Sequence, residues 1–521
     1  MVCDTDEQRQ IQHRARRVEL LPGRYDAFAL VRAWSDQEYV VLLDSAGSPS
    51  RDQRLAASCE ARAEPARWSI LAADPFAVFR SRGPACFAGP VGRERRLERP
   101  PLRELASLLE RYRIPVAEEK QHAAVNALPF TGGAMGYLGY ELLHQIERIS
   151  HPERDRGPAS LPDCYLLFFD TVAICNIASG ELYVAANGFG ASQVSARRSA
   201  DERFVEVASR LRPHQGRGTR TPPPERRKRA RLRQGDLISR GIEPVICRAD
   251  YLRLIETTQE HIREGDVFEV CLCNRFDTEF AGSGFELYAA LRQVNPAPFA
   301  AYLQLPEVQV LSSSPERFLR LDRERRVETR PIKGTRPRGH TLEQDRAHAR
   351  DLFESEKDRA ENIMIVDLAR NDLGRVCQFG SVGVSELQAI ESFEFTHQMV
   401  STVQGLLRPS CDPIDLLRAT FPGGSMTGAP KIAAMKIIEH LEPVTRGVFA
   451  GSIGYFDFDG ALDLSIVIRT FIKQGDSLSF HVGGAIVADS DASEEHQETL
   501  DKASGLVAAL DRYQSAQQRG R

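Results

Sequence analysis

Lys333 stands in TRPIKGTRPRG, residues 329–339, among two prolines, two glycines and three arginines. A lone lysine there is either a solvated charge or an amine set over an anionic substrate. A free lysine is only about one part in a thousand neutral near pH 7.4, so using it as a nucleophile costs about 4 kcal/mol unless burial or a nearby cation lowers its pKa. The flanking Arg330 and Arg336 act in that direction if they point inward. Glu316 lies 17 residues earlier, in SSSPERF. A strand pair joined by the polar DRERR turn brings the two ends together, so a carboxylate and an amine share one pocket.

Two further stretches carry paired carboxylates. In FESEKDRAENIMIVDLARNDLG, residues 353–374, Asp358 and Glu361 are three apart and share a helix face. In VADSDASEEHQETLDKASGLV, residues 487–507, Glu495 and Glu498 repeat the spacing, with Lys502 four residues on. Such a pair is ordinarily a solvated acidic face. If the two helices face each other, however, up to four anions converge, and a hard divalent cation such as Mg²⁺ relieves the repulsion.

Three other features admit a structural and a chemical reading. FPGGSMTGAPK (421–431) and FHVGGAIVADS (480–490) are turns whose backbone amides can approach an anion. Arg469 lies in the apolar SIVIRTF, where a charge needs a partner, either an ion pair or a substrate carboxylate. His397 in SFEFTHQMVSTVQG is a core histidine or a proton donor.

The elements that must position these residues follow from patterning. The 521 residues suffice for two or three domains, and Lys plus Arg at 68 against Asp plus Glu at 72 leaves a net charge of −4, which argues against a dedicated nucleic-acid binder. The ten cysteines form no CxxC and no zinc spacing, as expected of reduced thiols. No signal peptide and no run of about 18 apolar residues is present, so a cytoplasmic protein with no membrane partner is expected. Residues 18–211 read as short strands with glycine-rich turns, 212–245 as a basic Pro/Arg-rich linker, and 246–512 as a second globular region. There, ADYLRLIETTQEHIREGD reads as a helix ending near Gly265 and GFELYAALRQVNP as a helix stopped by Pro296, while VFEVCLCNRFDTEF, FAAYLQL, VQVLSSS and ERFLRL read as strands. Strands in hairpin-like succession favour an α+β architecture with antiparallel sheets.

The ordered set SPERF, PIKGT, KDRAENIMIVDLARNDLG, FEFTHQMV, FPGGSMTGAPK, GSIGYFDFDG, IRT and VGGAIVADSD resembles the chorismate-utilising enzymes, densely over 246–510 and more loosely through LLDS (42–45), RWSILAADP and FTGGAMGYLGYE. The resemblance implies antiparallel sheets packed face to face with helices outside. It implies Mg²⁺ at Glu361 and Glu498 with Asp358 and Glu495 close by, and substrate contacts from Thr335, Thr427, Tyr455, Arg469, Gly483, Gly484 and Lys502. Lys333, Glu316 and His397 become the catalytic candidates, and Leu43, Asp44 and Ser45 one wall of a possible tryptophan site.

Within the family, lysine in PIKGT resembles the members that aminate chorismate at C4, whereas anthranilate-forming members typically carry alanine there. Isochorismate-forming members carry a water-activating lysine at the position of Glu269, which speaks against water as nucleophile here. The implied reaction joins chorismate and ammonia through a covalent Lys333 intermediate, on the route to 4-aminobenzoate and folate. No GxCxGxQ motif is present, so the ammonia is expected from a separate glutamine amidotransferase subunit. The competing readings are an anthranilate-forming enzyme with an atypical lysine and a catalytically silent subunit; the intact set of acids and bases argues against silence.

Overall fold

The computed structural model describes residues 11–34, 37–46, 67–115, 127–150, 161–216 and 231–519. Among them the strands form two antiparallel sheets of twelve. The first runs His13–Leu21, Leu182–Gly190, Thr171–Asn176, Trp68–Ala73, Val40–Asp44, Phe299–Leu305, Val308–Ser314, Thr470–Gln474, Ser477–Ile486, Glu269–Glu279 and Glu243–Pro244, with Gly428–Ala429 also on Glu269–Glu279. The second runs Ile332–Pro337, Thr396–Leu406, Arg326–Arg330, Arg317–Leu321, Leu462–Ile466, Ser452–Asp457, Gly133–Leu138, Cys164–Phe169, Ala77–Arg82, Ala85–Gly89 and Arg95–Leu97, with Gly383–Ser392 also on Thr396–Leu406.

The sheets face each other across one apolar layer. Val41, Ile70, Ile174, Leu303 and Val310 come from the first sheet, and Val78, Met135, Leu167 and Ile453 from the second. Alternation decides which side chains enter it, since successive residues of a strand point to opposite faces. The first sheet's outer face packs on helices Gln193–Leu211, Gly284–Val294 and Ala492–Arg519, through Phe204, Leu287 and Leu506. The second sheet's outer face packs on Pro101–Arg111 and Pro413–Thr420, whereas Lys431–Leu441 packs on Glu269–Glu279 and Gly428–Ala429 of the first. This is the α+β architecture expected, with helices outside.

Both sheets draw strands from both sides of residue 212. Ala301 pairs with Leu43 in the first, and Tyr455 pairs with Met135 in the second. Of the stretch expected as a linker, 217–230 lies outside the described residues. On one side of it the chain forms a short turn of helix, Arg212–His214. On the other, Leu232, Leu237 and Ile242 are buried in the core and Glu243–Pro244 pairs with the strand Glu269–Glu279.

Local signals place the helix ends. Arg248–Glu264 stops at Gly265, whose φ of +85 suits a residue without Cβ. Ser355 breaks one helix, Leu342–Glu354, and caps the next, Glu356–Gly374, accepting a hydrogen bond from the Asp358 amide. That cap fixes where Asp358 and Glu361 start their face.

Candidate active site

The chain crosses from the first sheet to the second between Ser314 and Arg317, and back between Ile466 and Thr470. Glu316 sits on the first crossing and Arg469 on the second. Arg469 has a left-handed backbone, φ +52, which turns the chain out of its strand. It is a corner residue, where the apolar run SIVIRTF had suggested a strand interior. A cavity of about 970 Å³ opens at these crossings. Glu316, Lys333, Thr335, Asp358, Glu361, Arg469, Gly483, Gly484, Glu495, Glu498 and Lys502 all line it.

Lys333 and Glu269 bridge the two sheets. Lys333 Nζ donates to Glu269 Oε1 at 2.5 Å and lies 3.8 Å from Glu361 Oε2. Glu269 is fully buried, and its Oε2 has no hydrogen-bond partner among the described residues. Burial alone lowers a lysine, but Glu269 and Glu361 outweigh it and raise Lys333 above the ordinary range. The expected lowering by Arg330 and Arg336 is corrected by their orientation. Arg330 pairs with Glu391 at 2.7 Å, and Arg336 with Asp351 at 2.6 Å and Asp358 at 2.9 Å. Gly334, at φ +85, makes the close approach possible, since a Cβ there would meet Asp358 Oδ1 at 2.8 Å.

The hairpin Arg317–Leu321 with Arg326–Arg330 brings Glu316 beside the backbone of Ile332. Glu316 accepts a hydrogen bond from Ser425 Oγ at 2.7 Å. Burial pushes its carboxyl up to about 7, against the opposing pull of Ser425 and Lys333. Near neutral pH it therefore holds a proton part of the time, as a general acid must.

The two helical carboxylate pairs do reach one cavity. Burial pushes Glu361 up to about 7, with Lys333 pulling it down and Glu269 pushing it up. Lys502 holds Glu498 below its usual value across a 2.9 Å ion pair. Glu495 accepts from Lys357 at 3.3 Å and Ser490 Oγ at 2.7 Å. Hard oxygen donors with a buried surplus of carboxylate at Glu361 suit Mg²⁺. Among the described residues, no three of the four carboxylates lie within 4.8 Å of one another, so the four are not a preassembled set.

Three expected contacts fall elsewhere. His397 is 1% exposed and faces away from the cavity, with Nδ1 on Ser392 Oγ at 2.8 Å and Nε2 on Asp345 at 3.0 Å. Its neighbours Thr396 and Gln398 line the cavity instead, and Gln398 Oε1 has no partner among the described residues. Tyr455 lies between the sheets, its hydroxyl donating to the Pro129 carbonyl, whereas Phe449 lines the cavity. Thr427 is fully buried and donates to the Gly423 and Gly424 carbonyls, whereas Ser425 reaches the cavity. Leu43, Asp44 and Ser45 lie outside the cavity. Asp44 is bound by Arg292, Tyr288 and Ser69, and Ser45 Oγ donates to the Trp68 carbonyl.

Cavity residues absent from the expectations are Glu269's neighbours Cys271 and Cys273, together with Ser425, Phe449 and Gln398. The alternation in EVCLC was the available signal for the cysteines. Phe449 had none.

The two sheets meet at a cavity lined by carboxylates, lysines and glycines, as in an enzyme with a small-molecule site. Residues 56–508 match the chorismate binding enzyme family, and the chain belongs to it. It is 43% identical over 395 residues to an aminodeoxychorismate synthase of Streptomyces griseus, covering 74% of this chain and 51% of that protein. It is 37% identical over 382 residues to aminodeoxychorismate synthase component 1 of Bacillus subtilis (strain 168), covering 73% and 77%. The chain thus spans about half the length of the Streptomyces relative. Among solved structures, anthranilate synthase component I from Streptococcus pneumoniae TIGR4 superposes with a TM-score of 0.69 at 31% identity, over 87% of this chain and 95% of that one. No helix among the described residues is long and apolar enough to cross a membrane.

Proposed function

We propose that this chain aminates chorismate at C4, giving 4-amino-4-deoxychorismate, with ammonia delivered by a separate glutamine amidotransferase subunit. The observation that carries the reading is Lys333, a buried amine that lines the same cavity as Glu316. Relatives bearing the name aminodeoxychorismate synthase support it.

Glu269 Oε1 is the atom positioned to take the proton that Lys333 must lose. The freed amine adds at C2 of chorismate, the two conjugated ring double bonds each shift by one position, and the C4 hydroxyl leaves as water with a proton from Glu316. Ammonia then adds at C4, the double bonds return, and the Lys333 amine is expelled from C2. Two displacements bring the nitrogen to C4, where a single one would leave it at C2. Arg469, Lys502 and the amides of Gly483 and Gly484 anchor the substrate carboxylates. Glu361 and Glu498 would hold Mg²⁺, a Lewis acid for the ring carboxylate.

Product identification tests the reading. Purified chain, chorismate, Mg²⁺ and an ammonium salt at mildly alkaline pH should give 4-amino-4-deoxychorismate by chromatography and mass spectrometry. Anthranilate or isochorismate as the sole product would sink it. Full turnover in EDTA, or full activity in Glu361→Gln or Glu498→Gln, would remove the metal from the account.

A further inference from the structure

Glu269, Cys271 and Cys273 alternate along the strand Glu269–Glu279, so their side chains share one face. Cys271 and Cys273 line the same cavity as Lys333, with sulfurs 3.9 Å apart. Both are free thiols. The neighbouring strand leaves room for them. Cys273 pairs with Gly483, where a Cβ would come within 2.7 Å of the Cys273 sulfur, and Cys271 pairs with Ala485.

The two thiols are electrostatically unequal. Cys271 can receive the Cys273 S–H, and Arg446, Lys333 and Lys502 all favour its thiolate; Arg446 also donates to its carbonyl at 2.7 Å. Cys273 is held the other way: Cys271, burial and Glu442 all oppose its ionisation, and Glu442 accepts its backbone N–H at 2.9 Å. One nucleophilic sulfur beside one protonated sulfur is the arrangement that thiol oxidation to a disulfide requires.

We propose that Cys271 and Cys273 form a peroxide-oxidisable dithiol in the wall of the cavity, and that closing it to a disulfide stops turnover. The Cys271 thiolate attacks a peroxide oxygen, the O–O bond breaks, and hydroxide leaves, so Cys271 becomes a sulfenic acid. The Cys273 sulfur then attacks the Cys271 sulfur, the S–S bond forms, and the sulfenic oxygen leaves as water. Two thiols lose two hydrogens and one peroxide becomes two waters. Closure shortens 3.9 Å to about 2.05 Å and draws the two Cβ atoms, about 6.6 Å apart along an extended strand, to about 4 Å. It puckers the strand two residues from Glu269, the partner that holds Lys333 in place.

The test treats the whole chain with stoichiometric hydrogen peroxide, alkylates the remaining thiols and maps them by mass spectrometry. The peptide carrying both residues should lose two hydrogens and resist alkylation until dithiothreitol is added. Cys273→Ser should stop at a Cys271 sulfenic acid that dimedone captures, and Cys271→Ser should give neither product. Amination should fall at least ten-fold on oxidation and return with dithiothreitol. If both thiols stay alkylatable while other cysteines oxidise, or either bonds a different cysteine, the proposal fails. An oxidised pair with unchanged turnover would overturn its functional half. The mapping on the unsubstituted chain needs neither variant to fold. The activity readout rests on the amination reading and the mapping does not: a chain that oxidises at this pair but never aminates chorismate would sink that reading alone.

Discussion

Two buried carboxylates of the first sheet, Asp44 and Glu269, each hold a cation and have opposite characters. Asp44, on Val40–Asp44, holds Arg292 at 2.5 Å, accepts from Tyr288 at 3.2 Å through the same oxygen, and from Ser69 at 2.9 Å through the other. Every oxygen is engaged, and no cavity residue takes part. Glu269 holds Lys333 at the same 2.5 Å, yet its second oxygen has no partner among the described residues and Lys333 borders a cavity of about 970 Å³. A closed pair repays its desolvation with hydrogen bonds on every lone pair and fixes packing. An open pair leaves interaction capacity unspent, and that capacity is available to a substrate or a moving proton. Burial and distance alike fail to separate these two pairs; the count of satisfied oxygens and the adjoining cavity do.

The comparison breaks most sharply at Lys333. Lys333→Ala should reduce C4 amination about a thousand-fold or more, measured as 4-amino-4-deoxychorismate formed per minute, with any residual nitrogen found at C2. Unchanged product would remove the covalent role. Next, Asp44→Ala should cost about 3–5 kcal/mol of stability, because it strips the charge that Arg292 is buried against. Denaturant melts read this, and the folded fraction should keep its cavity chemistry. A loss of activity without a loss of stability would reverse the assignment of the two pairs.

Glu269→Gln sharpens the same contrast. It keeps shape but cannot take a proton, so turnover should fall about 100-fold with little change in melting temperature. Glu269 is among the groups that raise Lys333, so the amide variant lowers the lysine and its residual activity should climb with pH more steeply than that of the unsubstituted chain.

The smallest effect concerns Glu141, a buried acid away from the cavity that burial pushes up to about 8. Folding favours its protonated form, so its contribution is whole below about 4.5 and is lost as pH rises through about 8. Glu141→Gln does not titrate and keeps the acceptor for the Arg446 amide. It should melt about 2–4 °C higher than the unsubstituted chain at pH 9 and match it at pH 5. Equal melting at both would mean that Glu141 is not raised.

Legibility follows the range of the interaction that decides each residue. Asp358 with Glu361, and Glu495 with Glu498, could be read directly because a helix puts i and i+3 on one face whatever surrounds it. His397 failed by one position, since a strand sends Gln398 to the opposite side and only sheet packing says which side is the cavity. Thr427 failed because the helical turn Gly424–Met426 brings Ser425 to the cavity and leaves Thr427 buried behind it, and Tyr455 because its strand turns that side chain between the sheets.

The sequence by itself determined the elements, their caps, the α+β class and the acids and bases that reach the cavity, because propensity and periodicity act within a few residues. It also carried Lys333, on which the proposed C4 amination rests. Only the tertiary structure decided that Lys333 meets Glu269 rather than its flanking arginines, that Arg469 is a corner between sheets, that Asp44 is closed, and that two cysteines stand sulfur to sulfur in the cavity wall. Those facts depend on side chains meeting across 64 residues for Lys333 and Glu269, or across 248 for Arg292 and Asp44, and local pattern carries no information about contacts at that separation.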